Sequence, residues 1–184
     1  MTKMLFDVSA CRIDTLHSDW LHRRGIRLSL LRLDLVHPVV SGNKLFKLHY
    51  FLKDAIEYNK DTLVTFGGAY SNHLVATACT AQLLNKKSRG IVRGEAAPVL
   101  SHTLQQCRSY GMELEFVSRE IYRQMQEPGQ FIATEDCIVI PEGGYHPLGA
   151  KGAGLITTLA GTGHTHIAVA SGTATTLAGL LAYS

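Results

Sequence analysis

Thr62-Leu63-Val64-Thr65-Phe66-Gly67-Gly68-Ala69-Tyr70-Ser71-Asn72-His73 passes from a β-type run through a glycine turn into a helical run, Leu74 to Leu84. Glycines let a backbone approach a ligand closely. The first N–H groups of a helix are unpaired and carry partial positive charge. A strand, a glycine turn and a helix led by Ser71 and Asn72 therefore make a site for an anion. Such a turn occurs in many α/β proteins. Here a second stretch upstream, Ser41-Gly42-Asn43-Lys44, sharpens it.

Outward from this turn the chain keeps a βα rhythm. Upstream, the leucine-rich alternation of 28–35 predicts a strand, ended by His37-Pro38 because proline restricts its predecessor and lacks a donor. Leu45, Leu48, Leu52, Ala55 and Ile56 recur at helical spacing and predict a helix over 44–58. Downstream, strands are predicted at 62–66, 89–93, 113–117, 137–140 and 166–170. Helices are predicted at 71–84, 98–110, 118–126 and 150–160, with a last helical run after 176. Alternation at this spacing implies an α/β fold with a mostly parallel sheet flanked by helices. Ligands of such sheets sit at the carboxyl ends of the strands, where the glycine-rich turns fall.

Composition narrows the classes. The chain has 184 residues, 46% hydrophobic, enough to bury a core in one domain or two small ones. A net charge of +3 implies no nucleic-acid partner. The local basic cluster His22-Arg23-Arg24-Gly25-Ile26-Arg27 reads as a solvated loop. No stretch is long and apolar enough to cross a membrane, and 1–12 lacks the apolar core of a signal peptide. Cys11, Cys79, Cys107 and Cys137 share no metal-type spacing and read as free thiols in a reducing compartment. A soluble cytoplasmic protein is expected.

Ser171-Gly172-Thr173-Ala174-Thr175-Thr176 lies between an apolar run and a helix. Its small residues, hydroxyls and free helix N–H groups suit a phosphate, though an ordinary capped turn has the same look. Lys44 opens a helix that also carries Lys47 and Lys53, so local sequence does not choose a catalytic lysine. Gly161-Thr162-Gly163 follows a helix and lacks a third glycine, so it is no dinucleotide fingerprint. The stretch from Gly144 to Lys151 lacks the lysine and hydroxyl of a P-loop. His164 and His166 have no third ligand nearby, so no metal is expected.

Taken together and in order, these segments resemble the pyridoxal-phosphate enzymes of the 1-aminocyclopropane-1-carboxylate deaminase / D-cysteine desulfhydrase family. Ser41-Gly42-Asn43-Lys44-Leu45-Phe46-Lys47-Leu48 resembles its Gly-Asn-Lys segment, and Gly67 to His73 its Gly-Gly-x-x-Ser-Asn turn. Pro141-Glu142-Gly143-Gly144 with Pro147-Leu148-Gly149 resembles its strand-end loop, and 171–179 its phosphate loop. The resemblance implies a two-domain fold type II, similar to the tryptophan synthase β chain. The small α/β domain would be 47–154, and 1–46 with 155–184 would form part of a large domain truncated at its C-terminus.

It implies pyridoxal 5'-phosphate as cofactor. Lys44 would form the Schiff base and move the substrate α-proton, flanked by Asn43 at the cofactor. Asn72 would bond the ring hydroxyl. Ser71, Asn72 and His73 would receive the substrate carboxylate, and Ser71 would assist proton transfer. Gly172, Thr173, Ala174, Thr175 and Thr176 would hold the phosphate, with Ala174 and Thr175 departing from the family's glycine-rich form. Desulfhydrase-like members tend to carry histidine where His73 stands, and cyclopropane deaminases glutamine. The resemblance thus leans to β-elimination of D-cysteine to pyruvate, ammonia and sulfide, with the ring-opening deaminase as the rival. A homodimer acting on a small amino acid is implied.

Family members continue well beyond the position of Ser184, with more strands, a tyrosine at the cofactor ring and the group facing the pyridine nitrogen. The expectation is therefore an unprotected sheet edge at 166–170, exposed apolar surface and weak cofactor binding. An inactive cofactor-binding protein and an α/β module for another phosphorylated ligand are the other two readings.

Overall fold

The computed structural model describes residues 5–127 and 129–183. Its centre is a four-stranded, all-parallel sheet in the order β5-β4-β3-β6, formed by β3 (Thr62–Gly67), β4 (Lys87–Arg93), β5 (Met112–Val117) and β6 (Cys137–Ile140). Leu63 packs into one apolar cluster with α2 (Asn43–Glu57), while Val64 and Phe66 face Tyr122 on α5 (Arg119–Gln126). With both faces covered, β3 is a continuous run of buried residues rather than an alternating one.

The helix α3 (Asn72–Leu83) starts where Ser71 Oγ accepts from the Leu74 N–H at 3.4 Å. Every residue from His73 to Ala81 is buried, because α3 is wedged between the sheet, α2 and α4 (His102–Ser109). Ser101 and Ser118 cap α4 and α5 in the same way. α4 begins at His102, four residues later than its composition predicts, because Ser101 is the first residue whose hydroxyl can take the open N–H.

β3 has β4 on one side and β6 on the other. The chain therefore leaves β3 in one direction and returns on the opposite flank, which opens a crevice at the carboxyl ends of β3 and β6. Thr65 pairs with Ile140 across that edge, and its Oγ1 donates to the Ile140 carbonyl at 2.9 Å. The turns following these strands, 67–71 and 141–144, are held side by side.

After β6 the chain makes a 3₁₀ turn and then α6 (Pro147–Gly154), α7 (Thr157–Ala160) and α8 (Thr175–Ala182). α6 packs against both α2 and α8. A Cβ on Gly152 would lie 2.0 Å from the Phe46 carbonyl oxygen, so only glycine permits this approach of α6 to α2. The expected helix over 150–160 is thus two helices, broken at Leu155-Ile156.

Two strand expectations are corrected. The 28–35 strand is only β2 (Leu28–Leu31), followed by a 3₁₀ turn over Leu33–Leu35. β2 pairs antiparallel with β1 (Ile13–Leu16), and between them lies α1 (Asp19–Arg23), which contains the start of the basic cluster. Segment 166–170 is extended in composition but forms no strand. A strand needs a ladder, and none of the described strands lies beside it. The predicted open edge at that segment is therefore absent.

Candidate active site

The Gly-Asn-Lys segment begins α2 and faces the loop that begins α8. Asn43 Nδ2 donates to Thr176 Oγ1 at 2.7 Å, joining positions 133 residues apart. Lys44 Nζ donates to Asn43 Oδ1 at 2.8 Å. Asn43 thus uses its amide as a bridge from the lysine to the loop. One turn on, Lys47 is 4% exposed and its Nζ donates to Thr173 Oγ1 at 3.4 Å. Thr173 and Thr175 share a hydroxyl hydrogen bond of 2.8 Å.

The loop after β6 closes the same space. Gly143 sits at φ +61°, and a Cβ there would meet Thr173 Cγ2 at 2.8 Å. Gly144 lies against Lys47 and, more loosely, against the ring of His73. The starts of α2 and α8, the first turn of α3 and the 141–144 loop therefore converge at the crevice.

Burial sets the electrostatics. It lowers the pKa of Lys44. Burial, then the Lys44 charge, lowers that of Lys47 to about 8. His73 is 2% exposed, and burial, then Lys47 and Lys44, depress its pKa to about 3. At neutral pH it is an uncharged imidazole. Neither of its ring nitrogens makes a hydrogen bond of normal geometry, although the Pro141 carbonyl acts on the ring from nearby. A buried ring with so weak a hydrogen bond, next to two amines, is a costly arrangement for a closed core and a natural one for a ligand site.

The structure thus brings together Asn43, Lys44, His73, Thr173, Thr175 and Thr176. Ser71 is spent on capping α3. Asn72 is exposed at the first turn of that helix. Gly172 is exposed too, and a Cβ on it would meet nothing, so no crowding demands glycine there. Ala174 takes the left-handed conformation, φ 56° and ψ 0°, that turns the backbone into α8. One contributor was given no role from sequence, Lys47, and the Gly143-Gly144 pair was noted as part of a strand-end loop without a place in the site. The three-residue spacing of Lys44 and Lys47, which puts both on one helix face, was the available signal for the lysine.

A crevice at the switch point of a parallel sheet, a buried and a half-buried amine and a hydroxyl-lined helix start make a site suited to a phosphorylated ligand. Residues 14–184 match the family described as pyridoxal-phosphate dependent enzyme, and the chain belongs to that family. A bifunctional D-cysteine desulfhydrase/1-aminocyclopropane-1-carboxylate deaminase of Arabidopsis thaliana is 31% identical, over 70% of this chain and 35% of that protein. A putative 1-aminocyclopropane-1-carboxylate deaminase of Pyrococcus horikoshii is also 31% identical, over 85% of this chain and 50% of its own length. A D-cysteine desulfhydrase of Yersinia pestis is 29% identical over 89% and 53%. Among solved structures, an ACC deaminase homologue superposes with a TM-score of 0.74 at 26% identity, covering 97% of this chain and 58% of that one. An O-ureido-L-serine synthase, at 15% identity and a TM-score of 0.65, shares the fold. The chain spans about half the length of most of these relatives.

The family's cofactor is pyridoxal phosphate, and the residues present fit it. The lowered pKa of Lys44 favours a free amine, and the α8 start offers N–H groups and hydroxyls with Lys47 beside them.

Proposed function

We propose that this chain carries the cofactor-binding half-site of a pyridoxal-phosphate dependent lyase or deaminase acting on a small amino acid, with D-cysteine as substrate. The supporting observation is the convergence of Lys44, Lys47 and the 173–176 hydroxyls through the Asn43–Thr176 and Lys47–Thr173 hydrogen bonds. Pyridoxal phosphate, when bound, supplies an aldehyde for an amine and a ring that withdraws electrons from the substrate α-carbon.

The chain's own residues do the rest. Lys44 would hold the aldehyde end and, with its pKa lowered by burial, would take the α-proton at Nζ. Asn43 keeps that amine aimed and ties its position to the phosphate loop. Thr173, Thr175, Thr176 and the backbone of Gly172 and Ala174 receive the phosphate at the start of α8, with the Lys47 ammonium as counter-charge. Asn72 bonds the ring hydroxyl. The first turn of α3, with Ser71 and neutral His73, receives the substrate carboxylate. With the cofactor bound, these residues would support elimination of sulfide from D-cysteine, and one water would then hydrolyse the remaining imine to pyruvate and ammonia.

The reading includes a cytoplasmic homodimer. All four cysteines are free, as a reducing compartment allows. The exposed Trp20, Ile26, Leu28 and Leu30 offer apolar surface to a second copy.

The test mixes purified chain with pyridoxal phosphate, reduces with borohydride and maps the label by mass spectrometry. A label on Lys44 upholds the reading. A label elsewhere, or none in folded protein, overturns it. Sulfide with pyruvate from D-cysteine identifies the desulfhydrase; ammonia from 1-aminocyclopropane-1-carboxylate without sulfide from D-cysteine identifies the rival.

A further inference from the structure

A cavity of about 460 Å³ opens on the α5 side of the sheet. Its walls are Arg93 at the end of β4, Arg119, Tyr122 and Arg123 on α5, and Glu142 from the loop after β6. It adjoins the active-site crevice and shares the 141–144 loop with it through Glu142. An Nη of Arg93 comes within 3.7 Å of the place a Cβ on Gly68 would take, and Glu142 directly precedes the Gly143-Gly144 pair.

Three features of this cavity point to an anion. First, three arginines face two acids, Glu127 and Glu142, so the lining carries excess positive charge. Among the described residues none of the three guanidiniums is engaged in an ion pair. Second, Arg119 and Arg123 are four apart on α5, so both project from one face of the helix. The Arg93 guanidinium stands 5.6 Å from the centre of the Tyr122 ring, on the opposite wall. Third, Tyr122 is only 3% exposed, and its hydroxyl has no hydrogen bond of normal geometry. Burial, then the nearby Glu142 carboxylate, push its pKa up, so the group is a proton donor at neutral pH. The acceptor beside it is the Glu142 carboxylate, in less than ideal geometry, so a ligand oxygen in the cavity could share this proton.

We propose that this cavity binds the carboxylate or phosphate group of a small molecule, with Arg93, Arg119 and Arg123 as counter-charges and the Tyr122 hydroxyl as a directed donor. Planar guanidiniums match such oxyanions through paired N–H groups. The site is separate from the 173–176 loop, so it stands or falls independently of the cofactor reading.

The experiment is calorimetric titration of the full chain with succinate and, separately, with inorganic phosphate at fixed ionic strength. It is repeated on Arg93→Gln, Arg123→Gln, Tyr122→Phe and Thr175→Val, each first checked for an unchanged circular dichroism spectrum. Arg123 is exposed, so its variant leaves the fold intact. The proposal expects saturable succinate binding, or a phosphate-binding step besides any at the 173–176 loop, that R93Q and R123Q each weaken at least tenfold and Y122F weakens severalfold, while T175V leaves it unchanged. The tighter of the two probes identifies the acid group. No saturable binding of either probe, or binding that T175V weakens and R123Q does not, overturns the proposal.

Discussion

At the scale of single residues, the two lysines of α2 divide their work by burial and direction. Lys44 leans on Asn43, whereas Lys47 reaches the loop before α8. Lys47→Met is therefore expected to weaken pyridoxal phosphate binding about tenfold or more while the borohydride label stays on Lys44, as absorbance titration and peptide mapping would read. His73 also has a consequence for stability. Its folded pKa, about 3, lies below the unfolded value of about 6.5, as does that of buried His49, lowered by burial and then by Lys53. Unfolded chains then bind more protons than folded ones below pH of about 6.5, so stability is complete above that pH and is lost as pH falls. The slope approaches about 1.4 kcal/mol per pH unit for each histidine kept neutral. Urea midpoints between pH 7 and 5 would show it, and His73→Asn should flatten the curve. Ala174 holds a left-handed conformation that costs a non-glycine residue about 1 kcal/mol. Ala174→Gly is expected to raise the melting temperature by a few degrees, set against the larger entropy glycine loses on folding.

At the scale of elements, the placement of α6 decides whether the site exists. Gly152 lets α6 touch the backbone of α2 at Phe46, two residues from Lys44, and α6 in turn carries α8. Gly152→Ala forces these helices apart, at an expected cost of about 1–3 kcal/mol. Chemical unfolding would measure the loss, and the Lys47–Thr173 approach should lengthen with it, lowering cofactor affinity in the same variant. The core strands were legible because burial on both faces writes a continuous apolar run between turn residues, as in Leu63-Val64-Thr65-Phe66. β1 was not, because Ile13–Leu16 is short and mostly exposed and owes its form to pairing with β2. Segment 166–170 misled for the converse reason: its composition suits a strand, but composition supplies no partner.

For the whole molecule, exposed apolar surface is the governing property. Ile167 and Leu181 line a shallow apolar hollow of about 260 Å³ near the end of α8, and Leu181 is 74% exposed. Trp20, Leu28 and Leu30 are exposed as well. Patches of this kind associate. The chain is expected to show a mass that rises with concentration in light scattering. Leu181→Glu is expected to shift it towards the monomer without lowering the melting temperature, since so exposed a side chain contributes little to the core.

The sequence by itself determined the parallel α/β order, the capped helices after Ser71 and Ser118, and the segments from which the site is built. These follow from local rules: hydroxyl caps, apolar runs and proline stops act on near neighbours. Only the tertiary structure decided that Asn43 meets Thr176, that Lys47 turns to Thr173, and that the Gly143-Gly144 pair closes the crevice. Those contacts join residues far apart in the chain, and their geometry depends on how closely α6 can press on α2. That approach is set by backbone packing around a single glycine, which no local pattern records.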